Sequence, residues 1–339
     1  MLRVIISVVI ISIILFTIAV SVVVWFNKRA IILNLMFPGA QLNDLLALPA
    51  RYVLRNNTKT ETSSLRRGTL YTCYTDDMRA INCYTTVSPQ EWHRAEASAA
   101  ASPHHKIKTL LVMYAHGNAG NLFTGWATVL DMVVESCRTA VHAIDPSTRV
   151  VGVAFDYAGY TGENAKATPQ NSIEYWQCVY SDALKRVLPT HLLCYGRSIG
   201  GAVSVHGLAR ELRSIPSQGS GLSSPKHRAL FLETPFLGLP TTRIFGSKYV
   251  RDIFPCDDKL RYLNRQGVPI SVVLADYDAI IDNDVVRKLL EHACANQKKK
   301  KLLSIDTVAS GHNGAKCNEC ESTCGRQLSS AVTSLLTST

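Results

Sequence analysis

Leu192-Leu193-Cys194-Tyr195-Gly196-Arg197-Ser198-Ile199-Gly200-Gly201 is the stretch on which the reading of this chain turns. Its first four residues are an apolar, strand-like run, and Ala202 to Leu212 beyond it is compatible with a helix. Between them sits a serine bracketed by glycines. This is the layout of a strand, a sharp turn and a helix that lifts a serine hydroxyl above the edge of a sheet. Such a turn forces the serine into a strained backbone conformation and brings strand and helix backbones almost into contact. The residues two before and two after it must then be small, and here they are Gly196 and Gly200. The helix N-terminus behind the serine favours negative charge developing there. Ser198 is therefore the candidate nucleophile.

A nucleophilic serine needs a base, an acid and an oxyanion site, and the chain offers each in order. Upstream, Leu110 to Tyr114 reads as a buried strand running into His116-Gly117-Asn118-Ala119-Gly120-Asn121. A glycine-rich turn there lets backbone N–H groups face a site, and the N–H of Asn118 pairs with that of Ile199 as the expected oxyanion hole. Downstream, Val268 to Leu274 is strand-like and ends in Ala275-Asp276-Tyr277-Asp278. Leu302 to Val308 is the last such run and ends in Ser310-Gly311-His312-Asn313. Serine, then acid, then histidine, the last two each just past a strand, gives Ser198, Asp278 and His312 as the candidate triad. Asp276, Asp282 and Asp284 lie near enough in sequence to compete with Asp278 for the role of acid. His116 reads as a hydrogen-bonding residue of its turn rather than a base. Together with Tyr157 and Phe236 it is expected to bind substrate, with packing under the adjacent loop as the other reading of Tyr157. His206 reads as packing.

Tyr114 to Asn121, Asp156-Tyr157-Ala158-Gly159-Tyr160 and Gly196 to Val203 resemble the α/β-hydrolase superfamily. Within it they are most similar to the membrane-anchored group around α/β-hydrolase domain-containing protein 13. Glu233-Thr234-Pro235-Phe236 resembles that group's Glu-Asn-Thr-Phe segment after the sixth strand. The similarity covers about residues 35 to 335 and is concentrated at the motifs. It implies an α/β-hydrolase fold, with a mostly parallel central sheet and helices on both faces, and serine hydrolase chemistry. Three motifs depart from the group. Its Asp-Tyr-Arg-Gly-Tyr-Gly-x-Ser reads Asp156-Tyr157-Ala158-Gly159-Tyr160-Thr161-Gly162-Glu163, its Gly-x-x-Asp reads Ala275-Asp276-Tyr277-Asp278, and its Gly-His-Asn-Asp reads Gly311-His312-Asn313-Gly314. None removes a triad member.

The 339 residues are enough for one large domain with an appendage. Val4 to Phe26 carries no charge and, at 1.5 Å per residue, reaches roughly 34 Å as a helix, enough to cross a bilayer core. Trp25, Phe26, Asn27, Lys28 and Arg29 look like an interfacial anchor rather than a cleavage site. The expected organisation is an N-terminal membrane anchor over 1–29, a membrane-proximal segment and loop over 30–68, and a hydrolase domain over 69–339. The expected location is an endomembrane or the plasma membrane, with a single N-terminal transmembrane helix. Arg3 and the amino terminus nearly balance Lys28 and Arg29, so the charges encode no orientation.

The net charge of +10 is scattered, without a nucleic-acid-binding motif or interleaved aromatics, which argues against a nucleic-acid partner. Lys298 to Lys301 is a run of four that reads as a solvated turn or a contact for anionic headgroups. Cys317, Cys320 and Cys324 form one C-x2-C-x3-C cluster, for which disulfides, reduced thiols and a metal site all stay open. A zinc site usually needs two such pairs, and no metal or other cofactor is called for by the triad chemistry. Asn56-Asn57-Thr58 is a lone glycosylation sequon.

The remaining pattern fits two strands, Leu70 to Tyr74 and Arg79 to Thr85, about a turn at Asp76-Asp77. Helical periodicity covers Phe123 to Cys137, Gln170 to Leu188 and Asp284 to Ala295, with a strand from Arg149 to Phe155. Residues 235–266 occupy the place where many hydrolases carry a small cap. Phe236, Phe245, Tyr249 and Phe254 there either line a lipophilic entrance or pack against the core edge. The expected activity is cleavage of acyl esters or thioesters, with a lipid, an acylated protein or another acyl-containing small molecule as substrate. The same triad serves peptide cleavage, as in prolyl-oligopeptidase-like enzymes, and the third reading is a non-catalytic, membrane-anchored scaffold.

Overall fold

The two alternating runs after the expected anchor form the hairpin β1 (Thr69–Tyr74) and β2 (Ala80–Thr85), paired antiparallel in the register Thr69 to Thr85 through Tyr74 to Ala80. The structure is a computed structural model that describes residues 16–17, 68–92, 108–118, 120–160, 166–214, 224–243, 254–295, 302–313 and 322–337. Of the apolar stretch Val4 to Phe26 only 16–17 are included, so the expected transmembrane helix lies outside the described residues. So do the Asn56 sequon, the run Lys298 to Lys301, Cys317 and Cys320. Among the described residues no helix is long and apolar enough to cross a membrane.

Six further strands follow: β3 (Thr109–Ala115), β4 (Arg149–Phe155), β5 (His191–Arg197), β6 (His227–Glu233), β7 (Ile270–Ala275) and β8 (Leu303–Val308). They pair in parallel, and β2 joins β4 antiparallel, giving the sheet order β1-β2-β4-β3-β5-β6-β7-β8. The central strands are near-continuous apolar runs because both faces are covered. Every residue of β3 is buried. α1 (Trp126–His142) and α6 (Thr323–Thr337) pack on one face. The other face carries α2 (Pro169–Val187), α3 (Ile199–Ser214), α4 (Asp257–Arg265) and α5 (Asn283–Cys294).

Helix boundaries follow local chemistry. Thr168 caps α2 by accepting from the Asn171 N–H, and Pro169 supplies a pre-set first turn. The single helix read over Phe123 to Cys137 is two pieces, a 3-10 turn at Leu122–Thr124 and then α1. Gly125 divides them with φ 139, which a side chain would resist. Trp176 of α2 is fully buried flat against α3, where a Cβ on Gly207 would lie 2.3 Å from its indole. Truncating such a residue to alanine costs about 3–5 kcal/mol.

Strand order reverses at β3: the chain steps outward to β4 and then returns to place β5 on the other side. A crevice forms outside the carboxyl ends of strands at such a point. The turn after β3 and the serine after β5 both lie there. Within 235–266, Leu237, Leu239, Phe254, Leu260 and Leu263 are fully buried, Thr242 bridges to Ile281, and α4 packs on α3 and α5. Of the segment's aromatics, the described Phe236 and Phe254 are buried in the core, as the second reading has it for them. Residues 244–253 lie outside the description.

Candidate active site

β5 ends at Arg197 and α3 begins at Ile199, so Ser198 alone makes the turn, with φ 51. Left-handed backbone costs a side-chain-bearing residue about 1–2 kcal/mol. Three backbone bonds offset it: Ser198 N–H donates to the Glu233 carbonyl at 3.0 Å, and the Ser198 carbonyl accepts from Gly201 and Phe236 N–H at 2.9 Å each. Gly196 and Gly200 are small for the expected reason. A Cβ on Gly196 would lie 2.5 Å from the Gly200 carbonyl oxygen, and one on Gly200 would meet the Ala115 backbone.

The three triad candidates form one hydrogen-bonded chain. His312 Nε2 is 3.0 Å from Ser198 Oγ, and His312 Nδ1 is 2.7 Å from Asp278 Oδ2. With Nδ1–H donating to the carboxylate, Nε2 carries the lone pair and accepts from the serine hydroxyl. Asp278 is buried, and its other oxygen accepts the N–H groups of Ile280 and Ile281 at 2.8 Å each. Burial works against its charge, but the hydrogen bonds from His312, Ile281 and Ile280 outweigh that and hold its pKa below the ordinary aspartate value. The competing carboxylates are elsewhere: Asp276 and Asp284 are exposed, and Asp282 caps α5.

The turn after β3 touches the elbow directly. A Cβ on Gly117 would be 3.8 Å from Ser198 Cβ, and one on Gly200 would be 2.7 Å from the His116 carbonyl oxygen. The two expected oxyanion donors thus come from backbones in contact. Ile199 opens α3, where N–H groups lack an intrahelical acceptor. Asn118 is held through its side chain, whose Oδ1 accepts from the Tyr160 hydroxyl at 2.6 Å.

His116 and Tyr157 are placed as the turn residue and the under-loop packing residue of the sequence reading rather than at an open, substrate-facing surface. Both are fully buried beneath the turn. The Tyr157 hydroxyl donates to the His116 carbonyl at 2.5 Å, and the rings pack 4.3 Å apart. His116 Nδ1–H donates to the Gly117 carbonyl at 2.7 Å, while Nε2 stands 3.6 Å from Asp156, a carboxyl whose pKa burial pushes up. These side chains support the turn from below, because aromatic rings gain more from mutual burial than from facing water. The Phe236 backbone N–H bonds the Ser198 carbonyl, and its ring is buried toward Phe254. His206 packs against Phe254 and bonds the Pro255 carbonyl, away from the triad.

Two residues beside the triad, Glu233 and Arg197, carry no role in the sequence reading. Glu233 is buried, accepting from the Tyr195 hydroxyl at 2.6 Å and standing 3.6 Å from Arg197 Nη1. The Arg197 guanidinium also lies 5.3 Å over the Trp126 ring. A charge closing an apolar strand, as Glu233 does, and an arginine inside the glycine-rich turn were the available signals. Among the described residues no group of three or more His, Cys, Asp or Glu is placed to hold a metal ion. Cys324 is disulfide-bonded, and Cys194 is a buried free thiol in β5.

No family model and no curated protein sequence matches the chain. Solved structures do. The Pyrococcus furiosus esterase Pf2001 is 13% identical over 82% of this chain and 94% of that one, with a TM-score of 0.50. Est1E from Butyrivibrio proteoclasticus is 14% identical over 79% of this chain and 97% of that one, at a TM-score of 0.45. The chain has the α/β-hydrolase fold. In an α/β-hydrolase fold a serine, an imidazole and a carboxylate linked in this sequence can pass a proton from hydroxyl to imidazole and stabilise the resulting cation.

Proposed function

We propose that the protein is a membrane-anchored serine hydrolase that cleaves acyl esters or thioesters, with lipids or acylated proteins as substrates. One observation carries the chemistry: His312 spans Ser198 and Asp278 at hydrogen-bonding distance on both sides. Ser198 Oγ attacks the acyl carbonyl while His312 Nε2 takes its proton. The N–H groups of Asn118 and Ile199 hold the oxyanion, each such donor worth about 3 kcal/mol in known cases. His312 then returns the proton to the departing alcohol or thiol, leaving the acyl group on Ser198. Water repeats the sequence in reverse and frees the acid. Asp278 fixes the imidazole tautomer and stabilises its cation throughout.

The motif resemblance to the group around α/β-hydrolase domain-containing protein 13 supports the serine chemistry and the tether together. The uncharged stretch Val4 to Phe26 supports the tether separately. A site held near a bilayer favours lipid and acyl-protein substrates over soluble ones. The test is a fluorophosphonate probe, followed by matched panels of acyl esters, acyl thioesters and peptides. Wild type should label and turn over esters or thioesters, and Ser198→Ala should do neither while keeping its fold. Equal labelling of both proteins removes Ser198 as nucleophile, and turnover of peptides alone rejects the acyl-ester assignment.

A further inference from the structure

Arg197 and Glu233 lie outside the chain of triad hydrogen bonds, yet each touches a support of it. The backbone of Glu233 accepts the Ser198 N–H, fixing the elbow. The next residue, Thr234, has φ 41, and its hydroxyl donates to the His312 carbonyl at 3.4 Å. Arg197 Nη2 donates to the following carbonyl, that of Asn313, also at 3.4 Å. Two consecutive carbonyls of the histidine loop are therefore held from below, one by the segment after β6 and one by the residue preceding the nucleophile.

Besides the Asn313 carbonyl, the guanidinium meets Glu233, Tyr114 and the face of Trp126. The Arg197 side chain is only 11% exposed, between the Trp126 ring at 5.3 Å and Glu233 Oε1 at 3.6 Å. Burial works against its charge, but Glu233 first, and then Tyr114 and Tyr195, outweigh it, and its pKa lies above the ordinary arginine value. The Glu233 carboxylate is oriented in turn by the Tyr195 hydroxyl. A neutral side chain at 197 would leave Glu233 buried opposite no cation, which is strongly unfavourable.

We propose that Arg197 is a positioning residue which, charge-paired with Glu233, fastens the loop carrying His312 to the elbow carrying Ser198. The inference rests on the serine hydrolase reading and adds a residue to it. Its consequence is kinetic. Misplacing a base by a fraction of an ångström slows proton transfer without altering how substrate is bound, and a shift of about 1 Å can cost a hundredfold.

The experiment uses the full chain as wild type, Arg197→Met, Arg197→Lys and the double variant Arg197→Met/Glu233→Gln, assayed on p-nitrophenyl butyrate and with a fluorophosphonate. Arg197→Met should lower kcat by about tenfold or more with KM changed less than about twofold. Arg197→Lys, which keeps a cation opposite Glu233, should recover part of kcat. The double variant leaves no unpaired buried charge, so it guards against loss of the fold. It should remain slow because the bond to Asn313 is gone. Wild-type kcat in Arg197→Met or in the double variant overturns the proposal, as does a loss of kcat that only follows the folded fraction. A wild type that the probe does not label overturns the hydrolase reading itself. A wild type and Arg197→Met labelled at equal rates overturn this inference alone.

Discussion

A Cβ on Gly200 would sit 2.0 Å from the carbonyl oxygen of Ala115, so the helix after the nucleophile and the strand before the oxyanion turn meet backbone to backbone. The contact sets the distance between Ser198 and the turn at Gly117-Asn118. It also makes the glycine irreplaceable, because neither partner has a side chain that can move aside.

Gly200→Ala is therefore expected to abolish soluble expression or lower Tm by more than 10 °C, a shift on the order of 2–3 kcal/mol or more. Gly267→Ala is the control. Gly267 has φ 76 but open space around its Cβ position, so that substitution costs only about 1 kcal/mol of backbone strain. Thermal melts of the two proteins check this, and equal losses would mean that close approach at Gly200 is not what matters.

Asp278→Asn should lower turnover by up to about 10^4-fold, since an amide neither fixes the imidazole tautomer nor stabilises its cation. Asp276→Asn should stay near wild type, because Asp276 is exposed and the hydrogen bond to His312 comes from Asp278. Turnover numbers for the two variants on one ester decide it. A larger loss at Asp276 exchanges the roles.

Acid should destabilise the fold in a window set by two histidines. Burial, then His227 and Lys108, pushes the His191 imidazole down to about 4. Burial, then Lys259, pushes His206 down to about 4 as well. Both lie below the ordinary histidine value of 6.5, so the unfolded chain binds these protons first. The contribution of these two histidines to stability is then flat above that value and falls as pH drops from it toward about 4. Asp278 acts in the same direction at lower pH, since its stabilising bonds are lost as pH falls through its depressed folded-state pKa. Tm recorded against pH for wild type and His191→Gln should show a shallower acid slope in the variant. Parallel curves would exclude His191 as a source.

Full-length protein should remain with membranes after alkaline carbonate, as expected of a spanning helix rather than peripheral binding. Deleting residues 1–29 should release it while Ser198 still labels, because every triad and turn residue lies beyond residue 100. Immunoblots of pellet and supernatant with probe labelling read both outcomes. Full-length protein in the carbonate supernatant rejects the anchor. A folded truncation that fails to label places the segment in the active site instead.

Local chemistry was enough to specify much of this protein. The apolar runs at Leu110, Arg149, Leu192 and Val268 locate buried parallel strands because both faces must be apolar there. Gly196 and Gly200 mark the elbow because nothing larger fits between the two backbones. The order of Ser198, Asp278 and His312 follows from each lying just past a strand end. Tertiary structure alone decided what lies beneath those residues. His116 and Tyr157 suit in sequence either a place facing substrate or one under the turn, and mutual aromatic packing buries them under the turn. Residues 235–266 carry aromatics that suit a lid equally well, and only packing against α3 and α5 shows where the described ones go. Arg197 and Glu233 are 36 positions apart, and no local pattern pairs them. They meet because β5 and β6 run parallel in register from His191–His227 to Arg197–Glu233. Periodicity reports which face of an element is buried, whereas a charge pair between two strand ends exists only once the sheet has brought them together.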